Sequence, residues 1–466
     1  MVIIACLILL VQGLLLLGVV IRDLFDPRRE AITMKLVFIV GFLLFQTSSG
    51  IFTLLTGETE ASLELASPGL SGLKFAMLSS IFITLALLTY EKVPIGRRDA
   101  DQESEVRIAG PGLLLLMAVT GILIGVLLKD VLVTIPILGA LTEMLSTGSL
   151  AAAAGCAAWA WSLRPLNMMI GIPALVTIAG TCLLLLQNSF SRRGLVAAVI
   201  IVVWAAYFAR WRYVPRSSLL SRALLVIVLG FPLILVQSAT RGHRGTVALN
   251  EYFYRIATID PRDVADAAAS MASGQLAGGN SMWLLEHYPS TFSYMPLHSL
   301  YAFTTFVIPR AIWPGKPPGL GNEMVYNSGM TGVVREEQSL GPGIIGHTAV
   351  DIPFIAIPLY AFLLGCFLRA LDQWVRRYPF SPFVVIPVGA ATSQVLAIPR
   401  GELALFTFNA IAWIAGAVIA LLPFRWLATR VSRDPSIETE EGEDEELEGR
   451  DDVQQHIRVL EESESR

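Results

Sequence analysis

Seven cations stand at the edges of long apolar runs in this sequence: Arg192 and Arg193, Arg241 and Arg244, Arg310, Lys316 and Arg400. A guanidinium presents a planar fork of N–H donors that matches phosphate oxygens, and the attraction strengthens where water is partly excluded. Cations placed this way suit a ligand that is both phosphorylated and lipid-borne, such as a lipid-linked diphosphate. The plainer readings are pairing with a carboxylate or capping of a helix C-terminus. Acids and histidines share the same segments. Glu402 follows Arg400 in IPRGEL, either as its structural partner or as a reacting group. His347 closes LGPGIIGH, either as a neutral base or as a hydrogen-bonded structural histidine. Group transfer from a diphosphate needs such a base for the acceptor hydroxyl and cations for the departing diphosphate. Thirteen acids and histidines between Glu251 and Glu402 are candidates for that base.

The elements that hold these groups must be membrane helices. Hydrophobic residues make up 54% of the 466 and charged ones 15%, against about 25% charged in a soluble domain. Apolar runs near the roughly 20 residues needed to cross a bilayer recur along most of the chain. The expected fold is all-α, a polytopic integral membrane protein. The short alternating segments of a membrane barrel are not found. Eleven spans are expected, at about 2–21, 34–56, 71–90, 108–128, 148–163, 167–187, 194–209, 222–238, 347–369, 383–399 and 403–424. The run 131–145, interrupted by Pro136, is expected to be a re-entrant or surface helix, and the count is twelve if it crosses. The first run lacks a basic flank and a cleavage site, so it reads as a membrane helix and not a signal peptide. Cys6, Cys156, Cys182 and Cys366 all fall in apolar runs and read as small buried side chains, neither a disulfide framework nor a metal site.

Charge sets the expected orientation. With the N-terminus outside, nineteen lysines and arginines fall in or beside the cytoplasmic loops and five in the short outer connections, as the positive-inside rule requires. The chain then divides into N-terminal membrane helices (1–239), one large extracytoplasmic loop (240–346), C-terminal membrane helices (347–430) and an acidic cytoplasmic tail (431–466). The tail holds fourteen acids and four arginines and is expected to be disordered. Within the loop, the apolar piece 297–309 is too short to span and is expected to be interfacial or re-entrant. Trp283, Tyr288, Tyr294 and Trp313 suit either stacking on sugar faces or anchoring at the interface. No Walker lysine, dinucleotide fingerprint or outer-loop DxD pair is present, and no nucleic acid is expected as a partner.

Five stretches carry a resemblance. SRRG (191–194), ATRGHRG (239–245), IPRAIWPGKPPGLGNE (308–323), SLGPGIIGH (339–347) and IPRGEL (398–403) resemble, in that order, the bacterial polysaccharide repeat-unit polymerases of the O-antigen polymerase type. The likeness covers about 190–405, and IPR-x-x-WP-x-KP is its most specific phrase. It implies an enzyme of the bacterial cytoplasmic (inner) membrane that polymerises undecaprenyl-diphosphate-linked glycan units, with both donor and acceptor on lipid carriers. It implies no nucleotide sugar, metal or other cofactor. Arg192 or Arg193, Arg241, Arg244, Arg310 and Arg400 would clamp the carrier diphosphate. The loop bearing Trp313, Lys316, Asn322 and Glu323 would shape the substrate groove, with Lys316 as a further diphosphate contact. Membrane lipids and a chain-length regulator are the other implied partners. The single large outer loop departs from polymerases that have two.

Two other functions stay open at this point. A ligase that moves a finished glycan from the same carrier needs the same clamp. A transporter or flippase of an anionic lipid should instead place ionisable groups deep within the spans, and the expected spans are nearly free of charge.

Overall fold

The computed structural model describes residues 1–60, 63–94, 110–132, 135–188, 192–239, 254–308, 312–329 and 339–431, and every regular element in them is helical. Among the described residues, eight helical stretches are long and apolar enough to cross a membrane. They are α1 (Val2–Phe25), the stretch from α2 (Met34–Phe42) to α3 (Ser49–Thr56), α4 (Pro68–Lys92), α5 (Pro111–Leu132), α7 (Met168–Asn188), α9 (Arg216–Ala239), α15 (Pro353–Arg377) and α18 (Leu403–Val431). The chain is an all-helical polytopic membrane protein. α6 (Pro136–Leu163), α8 (Arg192–Ala209) and the pair α16 (Pro382–Ala390) and α17 (Thr392–Ala397) pack among them.

Three expectations are corrected. Residues 131–145 are not a separate surface helix, because α6 runs unbroken for 28 residues. Pro136 sits in its first turn, where a missing N–H costs nothing and φ is already helical. The expected span at 347–369 is two helices. α14 (Gly343–Val350) stops before Asp351, and Ile352, at φ 45°, turns the chain into α15. Pro353 enforces the break, since the residue before a proline is pushed out of the α region. The expected span at 383–399 is likewise interrupted at Ala391.

α6 is the hub. Leu150 to Ala154 and Cys156 are fully buried, as suits a helix that is apolar all round. Small residues let its neighbours come close: a Cβ on Gly148 would lie 2.1 Å from the Trp413 carbonyl oxygen, and one on Gly416 would lie 2.1 Å from that of Leu145.

Polar groups gather at both ends of the bundle. At one end Asp23 pairs with Arg22, Arg29 and Lys35, Arg212 pairs with Glu30, and Asp372 accepts the Met34 N–H at 2.7 Å. The opposite end is covered by the described part of the 240–346 segment. There α10 (Pro261–Ala272), α11 (Ala277–His287), α12 (His298–Thr305) and α13 (Leu320–Asn327) lead into α14. α11 packs so closely on α3 that a Cβ on Gly278 would lie 2.5 Å from the Gly50 nitrogen. The apolar piece expected at 297–309 contains the short helix α12, and Phe303 and Phe306 meet Phe408 of α18 at 5.9 and 4.7 Å between ring centroids.

Candidate functional site

Three glycine-rich segments meet at this second end. Gly343, at φ +71°, donates its N–H to the Arg400 carbonyl at 3.0 Å, and Ile344 donates to that of Pro399 at 3.0 Å. Leu340 donates to the Gly321 carbonyl at 3.2 Å. Gly321 in turn donates to Glu402 Oε1 at 2.7 Å. The contacts demand glycine, since a Cβ on Gly321 would lie 2.3 Å from the Leu340 carbonyl oxygen. Two buried amides complete the frame: Gln46 donates to the Pro399 carbonyl at 2.7 Å, and Asn280 donates to that of Gly341 at 3.0 Å. Gln46 lies in the π-helical turn Leu43–Ser48 that joins α2 to α3, a distortion often found at functional sites.

Glu402 is 9% exposed. Its carboxylate oxygens face Gly319, the N-cap of α13, where a Cβ would lie 2.6 and 2.7 Å from them. A negative charge is favoured at a helix N-terminus. Burial nevertheless raises the carboxyl above its usual range, and the Gly321 N–H opposes that shift. Arg400 acts electrostatically on Glu60, whose carboxyl is raised by burial and lowered in part by that guanidinium.

Arg193 joins the same cluster. Its guanidinium lies 4.8 Å from the Phe406 ring centroid, a cation–π distance. Phe406 packs so tightly on Gly401 that a Cβ there would fall 1.7 Å from the ring. Arg192 begins α8, with its side chain outside the described residues. Arg241, Arg244 and Arg310 also lie outside the described residues.

Lys316 donates to the carbonyls of Phe306 and Ile308, both at 3.0 Å, which ties the chain just after α12. Trp313 is half-buried and edge-on to Tyr301 at 6.2 Å. Asn322 and Glu323 occupy the first turn of α13, where their N–H groups bond the Gly319 carbonyl at 3.0 and 3.1 Å. Glu323 acts electrostatically on His298 and Tyr288. The suggestion that Trp283 and Tyr288 stack on sugars is corrected. They are 3% and 5% exposed, and Trp283 stacks on His287 at 4.2 Å within the protein. A residue enclosed by its own chain offers no face to a glycan.

His347 is 1% exposed. Its Nδ1 is 2.6 Å from Ser299 Oγ, and its Nε2 has no hydrogen-bond partner among the described residues. Burial, with His298 nearby, pushes its pKa down to about 3, so the ring is neutral. Asp351 accepts the N–H groups of His298 and Ser299 at 2.9 and 3.2 Å, as well as the Tyr360 hydroxyl. It therefore caps α12 and fixes Ser299 against His347. Sequence reasoning did not single out Ser299, Tyr360, Gln46, Asn280 or Glu60. For Gln46 the signal was a polar residue inside an apolar run, LLFQTSSG.

Among the described residues no group of three or more histidines, cysteines or acids is placed to hold a metal ion. The arrangement is that of a polytopic helical membrane protein with a cluster of buried acid, arginine and neutral histidine at one end of its bundle. No protein-family model, curated protein or solved structure matches the chain significantly.

Proposed function

We propose that this protein is a glycosyltransferase that polymerises undecaprenyl-diphosphate-linked oligosaccharide repeat units into a polysaccharide at the outer face of the bacterial cytoplasmic membrane. The observation that carries this reading is the meeting of 317–323, 339–347 and 398–403 around Glu402 and Arg400, with Arg193 beside them. All three fall within stretches that carry the resemblance, and about fifty residues separate the second from the third. Cations at a membrane-helix mouth stabilise a departing diphosphate, and a buried carboxylate suits removal of a proton from an acceptor hydroxyl. In this reading Arg193 and Arg400, with Arg241, Arg244 and Arg310, hold the diphosphates. Glu402 is the base, and neutral His347 supports the acceptor side. The chain crosses the membrane eleven times, the eight long stretches being joined by α6, α8 and the α16–α17 pair. The N-terminus lies outside.

Reconstitution tests this. Purified protein in vesicles receives a defined undecaprenyl-diphosphate oligosaccharide with chelator and no nucleotide sugar. A ladder spaced by one repeat unit is expected. Glycosylation of an added acceptor lipid without a ladder would make the protein a ligase. Movement of unchanged substrate between leaflets would make it a transporter.

A further inference from the structure

A cavity of about 630 Å³ lies between α1 and α4, and its wall is almost wholly apolar. On α1 it runs from Leu7 to Arg22, about 22 Å at 1.5 Å per residue. That exceeds half of the roughly 30 Å hydrocarbon core, the share of one leaflet. Of the polar side chains on the wall, Gln12 bonds Ser79 behind it at 3.0 Å and Ser80 donates to the Ala76 carbonyl at 2.8 Å. The wall therefore suits an acyl chain better than a polar ligand.

The mouth differs from the wall. Arg22, Lys35 and Glu91 close the groove at the bundle end opposite Arg400 and Glu402. Lys35 is buried and bonded to Asp23 and Glu91, whereas the Arg22 side chain is 54% exposed. Arg22 uses Nε and one terminal nitrogen on Asp23, and a guanidinium has further N–H donors to offer. The surrounding 22–35 turn and the end of α4 carry five cations against four acids. Arg212 and Arg216 are also bonded to this turn, and so is one further acid, Asp372. The patch is net positive where a phospholipid headgroup would sit.

We propose that this groove is a binding site for one bilayer phospholipid with an anionic headgroup, its acyl chain between α1 and α4 and its phosphate on Arg22. The occupant is a lipid of the leaflet opposite the glycan site, so this inference does not depend on the proposed enzyme activity.

The test uses the full chain in detergent micelles, titrated with phosphatidylglycerol or phosphatidylcholine of equal chain length and examined by native mass spectrometry. Leu15→Trp fills the groove from a side chain that faces out of the bundle, 68% exposed, so folding should survive it. Arg22→Gln removes the cation and leaves the groove. One tightly held phosphatidylglycerol is expected in the unaltered protein. Its affinity should fall about tenfold in L15W and several-fold in R22Q, while phosphatidylcholine, whose choline offsets its phosphate, starts weaker and falls less in R22Q. Equal retention by L15W and the unaltered protein would overturn the site. Equal binding of the two lipids, unchanged by R22Q, would overturn the anionic headgroup.

Discussion

Glu402 Oε1 accepts the backbone N–H of Gly321 at 2.7 Å, across eighty-one residues of sequence. The bond ties the start of α13 to the mouth of α18 and holds one acid in a buried recess beside Gly319 and Gly321. It gives Glu402 a structural duty whatever its chemical one, and the two duties separate by substitution.

Glu402→Gln keeps an oxygen for Gly321 and removes the ionisable group. If Glu402 is the base, polymer yield per protein falls about 10²–10⁴-fold with the melting temperature little changed. Glu402→Ala also loses the acceptor and costs about 1–3 kcal/mol of stability. A normal ladder from the Gln variant would leave Glu402 as a cap alone. Burial lifts this carboxyl above 4.5, and a base acts when deprotonated, so kcat should rise with pH through an inflection above that value.

Gly401→Ala should be more damaging than its size suggests. The added carbon would fall 1.7 Å from the Phe406 ring, and Phe406 carries the Arg193 guanidinium. We expect a loss of about 1–3 kcal/mol from overpacking, read by thermal unfolding, together with loss of polymer. Phe406→Leu made alongside Gly401→Ala should recover part of the stability by making room.

Lys316 separates two roles. Its bonds to the Phe306 and Ile308 carbonyls predict that Lys316→Met costs about 1.5–3 kcal/mol, the range for charged hydrogen bonds. At a temperature where the variant is folded, KM for the lipid-linked donor should then be unchanged. A large rise in KM would make Lys316 a diphosphate contact instead.

As clamps of the carrier diphosphate, Arg241 and Arg310 should each lose about 2–5 kcal/mol of transition-state stabilisation on replacement by alanine, roughly thirty-fold or more in rate. The lysine variants keep the charge and lose the fork, so they should recover little. Normal chain lengths from both alanine variants, at equal protein levels, would remove these arginines from the mechanism.

His347 should make the protein acid-labile. Its pKa is lowered from 6.5 to about 3, so between those values the unfolded chain binds a proton that the folded one refuses. Stability is then complete above 6.5 and is lost as pH falls, by about 2 kcal/mol at pH 5. His347→Gln should show a smaller loss between pH 7.5 and pH 5 in thermal unfolding. An identical loss in both proteins would place the acid lability elsewhere.

Much of the site was legible as residue types and little of it as contacts. The RGE and glycine-rich motifs stood out because charge and glycine are conspicuous against apolar runs. That Gly321 serves Glu402, or that Gly343 serves Arg400, was not legible, because a backbone hydrogen bond leaves no mark on either partner's identity. Gln46 and Asn280 were passed over for the same reason. The aromatic residues Trp283 and Tyr288 looked like surface platforms, since composition does not distinguish a ring facing out from one enclosed by α11 and its neighbours.

The sequence by itself determined that this is a helical membrane protein, since hydropathy and the absence of charge over about 20 residues are local properties that each segment carries alone. It also determined which residues could do chemistry, and the charge asymmetry between successive loops. Tertiary structure alone decided that α6 is buried at the centre of the bundle, and that Asp351, beyond the end of α14, caps α12. It alone decided that His347 is neutral and that three remote segments share one recess. These are outcomes of packing between elements far apart in the chain. They depend on which backbones come close enough to exclude water and a Cβ, a quantity that no single stretch of sequence contains.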